Sequence, residues 1–241
     1  MSLEKIAKKM CAKGKGILAA DESTGTMDKR LKSVNVESTE ENRLKFRETL
    51  FSAESMKNFI GGVILFDETI RQKTKSGVSI SELISSSGSV PGIKVDKGAK
   101  PLAGSNEETI TEGLDGLRDR LKDYYSLGAR FTKWRAVYKI GKSFPSKQSI
   151  KSNAHALARY ASLVQEANMV PIVEPEVLMD GDHDIEKCYK VTTDVLNECY
   201  NELSLHKVDL TGTVLKPNMI VPGSKCTKKV GTKEIAKKTI E

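Results

Sequence analysis

Lys133 with Arg135, and Glu174 with Glu176, form two charged pairs, each separated by one residue and each reached through an apolar run. In an extended strand residues i and i+2 face the same way, so each pair projects together. Lys216 follows a third such run, Asp21 a fourth, and Lys94 with Asp96 closes a fifth. A lysine ammonium at the end of a buried strand costs desolvation unless it is paired. With an ordinary pKa near 10.4, such a lysine is neutral at pH 7 in only roughly a few parts in ten thousand. A neighbouring cation and partial burial can lower that value by about 3 units and expose a nucleophilic amine. Lys216 beside Lys133 and Arg135 is a candidate for that amine. Glu174 or Glu176 can supply the proton donor and acceptor that carbinolamine dehydration needs. A salt-bridged layer across the strand ends is the competing account, and charge placement alone leaves both open.

The loop from Asp21 to Thr26 follows the first apolar run and offers Ser23, Thr24, Gly25 and Thr26. Hydroxyls and a glycine in that place can hold phosphate oxygens; they can equally cap a helix and form a turn. Two other motifs carry no chemistry. Gly141, Lys142 and Ser143 look like the end of a phosphate-binding loop, but Ala136 stands where its first glycine belongs. Asp180, Asp182, His183 and Asp184 suggest a metal site, yet the sequence has only three histidines (155, 183 and 206) and none is ligand-spaced from this cluster, so a turn with a helix N-cap is expected there. His155 and His206 fall in or beside helical patterns and are assigned no role.

Apolar runs of β type recur at 16–20, 61–66, 92–95, 129–134, 170–173 and 212–215. Helical patterns lie between them: Phe46, Leu50 and Ala53; Leu114, Leu117, Leu121 and Tyr124; Ala154, Leu157, Ala161 and Val164; and Ile185, Cys188, Thr192, Val195, Cys199 and Leu203. Ser38 with Glu41 reads as a capping box opening the first of these. Strands separated by helices imply βαβ units and a parallel sheet. A doubly wound sheet gathers its ligand contacts at one switch point. Charges at the end of nearly every strand suit the mouth of a barrel instead. No linker or composition shift divides the chain, so one domain over 1–241 is expected.

Composition narrows the function classes. The chain has 241 residues, 38% of them hydrophobic, with 39 Lys+Arg against 32 Asp+Glu, a net charge of +7. Segment 224–241 holds six lysines and two glutamates, so +4 of that excess sits in one tail. No aromatic residues are interleaved there for base stacking, which argues against nucleic acid as a partner. No run approaches a membrane span, and none resembles a signal segment. Cys11, Cys188, Cys199 and Cys226 show no paired spacing, which fits a reducing compartment, most simply the cytoplasm.

The runs GILAADESTGT (16–26), STEENR (38–43), GGVILFDET (61–69), GIKVDKG (92–98), PLAG (101–104), FTKWR (131–135), VPIVEPE (170–176), DGDHD (180–184) and LKPNM (215–219) together resemble class I fructose-1,6-bisphosphate aldolase. The resemblance implies an α/β fold, the (β/α)8 TIM barrel. It also implies a glycolytic lyase that reversibly cleaves fructose 1,6-bisphosphate to dihydroxyacetone phosphate and glyceraldehyde 3-phosphate without a metal or other cofactor. By this resemblance Lys216 is the Schiff-base lysine, Glu174 the acid/base for carbinolamine chemistry, and Glu176 a balance for the lysine charges. Asp21 matches the carboxylate assisting removal of the C4 hydroxyl proton, and Lys133 and Arg135 match groups that tune and polarise the site. Ser23, Thr26 and Lys94 correspond to contacts for the C6 phosphate, with Thr26 keeping a hydroxyl at a serine position. Arg30 and Arg43 match basic positions near the substrate. The resemblance further implies a homotetramer for a full-length chain, and actin binding is known in the family.

The sequence departs from the family at its end. It lacks the later glycine- and serine-rich loop and arginine for the C1 phosphate, and the C-terminal tyrosine used in proton transfer. Its last stretch, 234–241, is an amphipathic pattern with no stop signal. The expectation is an incomplete barrel with about six of eight strands, whose first and sixth strands are open edges. Poor folding, self-association or weak catalysis would follow. The alternative function is a catalytically impaired, aldolase-like protein acting as a binding partner.

Overall fold

The computed structural model describes residues 1–241. Its strands are β1 (Gly16–Ala20), β2 (Ile60–Leu65), β3 (Val90–Lys94), β4 (Ala99–Pro101), β5 (Thr109–Thr111), β6 (Phe131–Tyr138), β7 (Val170–Val177) and β8 (Val214–Leu215). Its helices are α1 (Leu3–Met10), α2 (Thr24–Ser33), α3 (Glu40–Phe51), α4 (Met56–Phe59), α5 (Asp67–Ile70), α6 (Ile80–Ser86), α7 (Leu117–Ser126), α8 (Lys147–Glu166), α9 (Ile185–Leu205) and α10 (Thr232–Ile240). Six strands pair in the order β1-β2-β3-β6-β7-β8, every pair parallel. They form an incomplete (β/α)8 barrel with β1 and β8 at its edges. No helix is long and apolar enough to cross a membrane.

Strand alternation divides the two faces of this sheet. On the concave side, Ile64, Val90, Phe131, Val170 and Ile172 pack with Ile6, Ala7 and Met10 of α1, which plugs the end where the strands begin. One pleat further on, the same faces carry Lys133 and Glu174. The barrel interior is therefore apolar at its base and charged at its mouth. Gly92 permits the base to close, since a Cβ there would fall within the Phe131 ring. On the convex side Trp134, Ala136 and Tyr138 join the main core with Leu157, Ala161 and Val164 of α8 and Cys188, Val195, Cys199 and Leu203 of α9. The three- and four-residue spacing read in these helices is the spacing of their buried faces.

Four details differ from the sequence reading. β6 and β7 run to Tyr138 and Val177, past 134 and 173, because their charged residues interrupt the apolar run without leaving the sheet. β8 is only two residues long, and Gly212 belongs to a 3-10 turn before it. The N-cap of α3 is Thr39, whose hydroxyl accepts from the Asn42 amide at 3.2 Å; Ser38 instead offers its carbonyl to Arg43 at 2.6 Å. Finally, the face of α3 assigned to the core, Phe46, Leu50 and Ala53, is exposed, and Arg43, Arg47 and Phe51 are buried. Arg47 donates to Thr69 Oγ1 at 2.7 Å and to the Glu22 carbonyl at 2.6 Å. At Arg43 and Arg47 that face of α3 meets the polar segments that follow β1 and β2, so donors rather than hydrocarbon are needed there, while Phe51 joins the main core.

Candidate active site

Glu174 is the centre of the charged mouth. Its Oε1 is hydrogen-bonded by Lys216, and its Oε2 lies 3.1 Å from Lys133 Nζ. Register explains how one carboxylate reaches two strands. β7 lies between β6 and β8, with Arg135 opposite Glu174, and the Lys216 amide extends the β7–β8 ladder by donating to the Val173 carbonyl at 2.9 Å. Lys133 also pairs with Asp21 Oδ2 at 3.2 Å, across the sheet from β1. Burial works against the Lys133 ammonium, but the carboxylates of Asp21, Glu174 and Asp96 prevail and hold its pKa above the ordinary lysine value. Lys133 therefore stays a cation through the physiological range. Asp21, Lys133, Glu174 and Lys216 form one connected cluster.

Glu176, one pleat above Glu174, accepts a hydrogen bond from Arg135 Nε. Burial likewise opposes the Arg135 charge, and this hydrogen bond overrides it. Glu176 thus neutralises a guanidinium, whereas the carboxylate facing the lysines is Glu174.

A cleft of about 980 Å³ adjoins the cluster, lined by Asp21, Ser23, Thr26, Arg30, Lys94, Lys133 and Arg135 among others. Ser23 caps α2: its Oγ accepts from the Thr26 amide at 3.4 Å and lies 3.1 Å from Thr26 Oγ1. The cap and the phosphate-holding reading coexist here, because this ten-residue helix presents its N-terminus and two hydroxyls to the cleft. Lys94 Nζ meets Asp96 Oδ1 and the Asp96 carbonyl, both at 2.7 Å. Arg30 is paired with Glu22 at the cleft's rim. Arg43 is placed elsewhere. It forms a two-pronged pair with Glu68, at 2.9 and 2.5 Å, and does not line the cleft. The Asp184 side chain accepts from the Lys187 amide at 2.9 Å and caps α9, as expected for the acidic cluster.

Several site-shaping residues carry no sequence signal of their role. Asp96 is buried and its two oxygens receive the Gly98 and Arg135 amides at 3.1 and 3.3 Å. It thereby fixes both Lys94 and the backbone of β6. Arg120 reaches the cleft from α7 and donates to the Val95 carbonyl at 2.9 Å. Only the fold brings α7 to the end of β3. The recurrence of charge after every strand pointed to Asp96 but not to its partners.

A strand-end lysine sharing a buried glutamate with a second lysine, beside a hydroxyl-lined helix N-terminus, is a site suited to imine chemistry on a phosphorylated carbonyl compound. Comparison with known proteins agrees. A family model described as fructose-bisphosphate aldolase class-I matches residues 2–241. A "Probable fructose-bisphosphate aldolase class 1" of Xanthomonas campestris pv. campestris is 54% identical over 100% of this chain and 73% of its own length. "Fructose-bisphosphate aldolase 4, cytosolic" of Arabidopsis thaliana is 58% identical over 94% of this chain and 58% of its own. The solved fructose-bisphosphate aldolase of Plasmodium falciparum, in complex with TRAP and a small-molecule inhibitor, superposes with a TM-score of 0.97 at 47% identity, over 99% of this chain and 69% of that one. The fold, the charged mouth and these similarities agree that the chain belongs to the class I fructose-bisphosphate aldolase family.

Proposed function

We propose that residues 1–241 form a single incomplete (β/α) barrel domain that, in the cytoplasm, catalyses the glycolytic cleavage of fructose 1,6-bisphosphate to dihydroxyacetone phosphate and glyceraldehyde 3-phosphate, and its reverse. The observation that carries this reading is Glu174 held between Lys216 and Lys133. The Lys216 amine adds to the C2 ketone, and Glu174 delivers the proton with which the carbinolamine hydroxyl leaves as water. The resulting iminium draws the electron pair of the C3–C4 bond as Asp21 assists loss of the C4 hydroxyl proton. The aldehyde departs, and the enamine takes a proton at C3 before water regenerates the amine. Lys133 supplies a fixed positive charge beside developing anions. Arg135, neutralised by Glu176, polarises the same mouth. Ser23, Thr26 and Lys94 bind the C6 phosphate, with Arg30 at the rim; Arg43 acts through Glu68 rather than on substrate. Assembly into a homotetramer and attachment to actin extend the reading to partners.

A second reading, a catalytically impaired aldolase-like binding protein, draws on one observation. The Lys216 side chain is 48% exposed, so water has access to the amine. Coupled assay of fructose 1,6-bisphosphate cleavage separates the two. The enzyme reading expects turnover by the wild-type chain that Lys216→Ala abolishes. No turnover by either chain beside intact triose-phosphate binding favours the second, and equal turnover by the two contradicts the role given to Lys216.

A further inference from the structure

The outer helical layer brings His155 to a pair of side chains one helical turn apart at the end of α9. His155 lies on α8, Glu202 on α9, and His206 at the C-cap of α9, four residues beyond Glu202 and so on the same side of the helix. His155 Nδ1 is 3.0 Å from Glu202 Oε2, and His206 Nδ1 is 3.6 Å from the same oxygen. The two imidazoles meet edge to face with centroids 5.0 Å apart. One ligand atom from each residue falls within 4.8 Å of the other two. None of the three lines the cleft beside Lys133.

We propose that His155, Glu202 and His206 form a site for a zinc-class divalent cation that clamps α8 to the end of α9. In a tetrahedral shell with metal–ligand distances of about 2.1 Å, neighbouring ligand atoms stand roughly 3.4 Å apart. The His155 Nδ1–Glu202 Oε2 separation of 3.0 Å is near that value, and a turn of the half-exposed His155 ring adjusts its distance to a ring nitrogen of His206, which lies within 4.8 Å of both. Two imidazoles and one carboxylate select zinc, copper or nickel over magnesium or calcium, which prefer an all-oxygen shell. His206 Nδ1 is also 2.9 Å from the Glu202 carbonyl. With its proton on Nδ1 donated there, the His206 ring keeps its Nε2 lone pair free to ligate, the supporting bond that metal-binding histidines ordinarily have. The negative end of the α9 dipole and Glu198, one turn before Glu202, favour a cation at this place. Arg159, one turn beyond His155, lines the neighbouring cleft with His206 and opposes it. The helices beneath are rigidly packed through Leu157, Ala161, Cys199 and Leu203, so the ligands need little ordering on binding. Fourth and further positions are open to water.

The test is calorimetric titration of the purified chain with Zn²⁺ alone. The wild-type chain is expected to bind one ion at this site. His155→Ala and Glu202→Gln are each expected to weaken it on the order of tenfold or more, and a Cys11→Ser/Cys226→Ser variant to leave it unchanged. His155 is half-exposed, so its substitution is compatible with folding, and His155→Asn serves as a second variant at the same position. Zinc should also raise the melting temperature of the wild-type chain but not that of either histidine variant. The proposal is overturned if the wild-type chain binds no zinc, if the His155 and Glu202 variants bind as tightly as wild type, or if the cysteine variant is the one that loses binding.

Discussion

Lys133 and Lys216 hold the two oxygens of one carboxylate, and the sheet supports them in opposite ways. Lys133 lies inside an eight-residue strand paired on both sides and is 6% exposed. Lys216 follows a two-residue edge strand and has a half-exposed side chain. Lys133 also has a second carboxylate, Asp21, whereas Lys216 has Glu174 alone. The same residue type at the same mouth is thus divided between two tasks. Deep in the sheet a lysine becomes a standing charge. With a single carboxylate partner and a half-exposed side chain, it keeps the freedom that a nucleophile needs to approach a carbonyl carbon.

The largest expected effect is on the buried side of this pair. Lys133→Met leaves Asp21 and Glu174 facing each other without their shared cation and is expected to cost about 3–5 kcal/mol in urea unfolding. A loss within about 1 kcal/mol would break the contrast. The same contact has an alkaline signature. Because the Lys133 pKa is raised, its stabilisation is complete below the unfolded lysine value near 10.4 and disappears as pH rises through the higher folded value. Stability measured across that window should fall in the wild type and be flatter in Lys133→Met.

Next comes the apolar base on which Lys133 stands. Gly92→Ala places a methyl group in the Phe131 ring and is expected to cost about 1–3 kcal/mol through overpacking, read as a lower melting temperature. A smaller, acid-side effect belongs to Glu68, whose pKa is lowered chiefly by the hydrogen bonds from Arg43. Its stabilisation is present above the unfolded value near 4.3 and lost as pH falls through the depressed folded value. Glu68→Gln should remove that portion of the acid transition, as seen in unfolding curves at successive pH values. The smallest effect on stability is expected for Lys216→Ala, within about 1 kcal/mol, because Lys216 is half-exposed and the buried Glu174 keeps Lys133 as its partner. A loss as large as that of Lys133→Met would mean that the two lysines are structurally alike.

Much of this division was legible in the sequence. Each of the six barrel strands announced itself as an apolar run ending in charge, and the inward stripes of α8 and α9 followed the helical period because those interfaces are mostly apolar. α3 misled for the converse reason. Two of its three buried residues are Arg43 and Arg47, which bind backbone carbonyls, hydroxyls and Glu68, with Phe51 the third, while Phe46 and Leu50 face outward. A hydrophobicity pattern cannot register a face held by donors. The hairpin of β4 and β5 left no alternation to read, since its three-residue strands carry mostly exposed or half-buried side chains. Lys133 and Lys216 were both visible as strand-end lysines. Their shared hold on Glu174 was not, because it depends on the register of three strands.

The central claim, that the edge lysine reacts and the buried lysine does not, is tested most directly by borohydride reduction of the wild-type chain in the presence of dihydroxyacetone phosphate, followed by peptide mapping. The expected result is a single covalent adduct on Lys216, absent in Lys216→Ala, with Lys133 unmodified. An adduct on Lys133, or no adduct on Lys216, would contradict it.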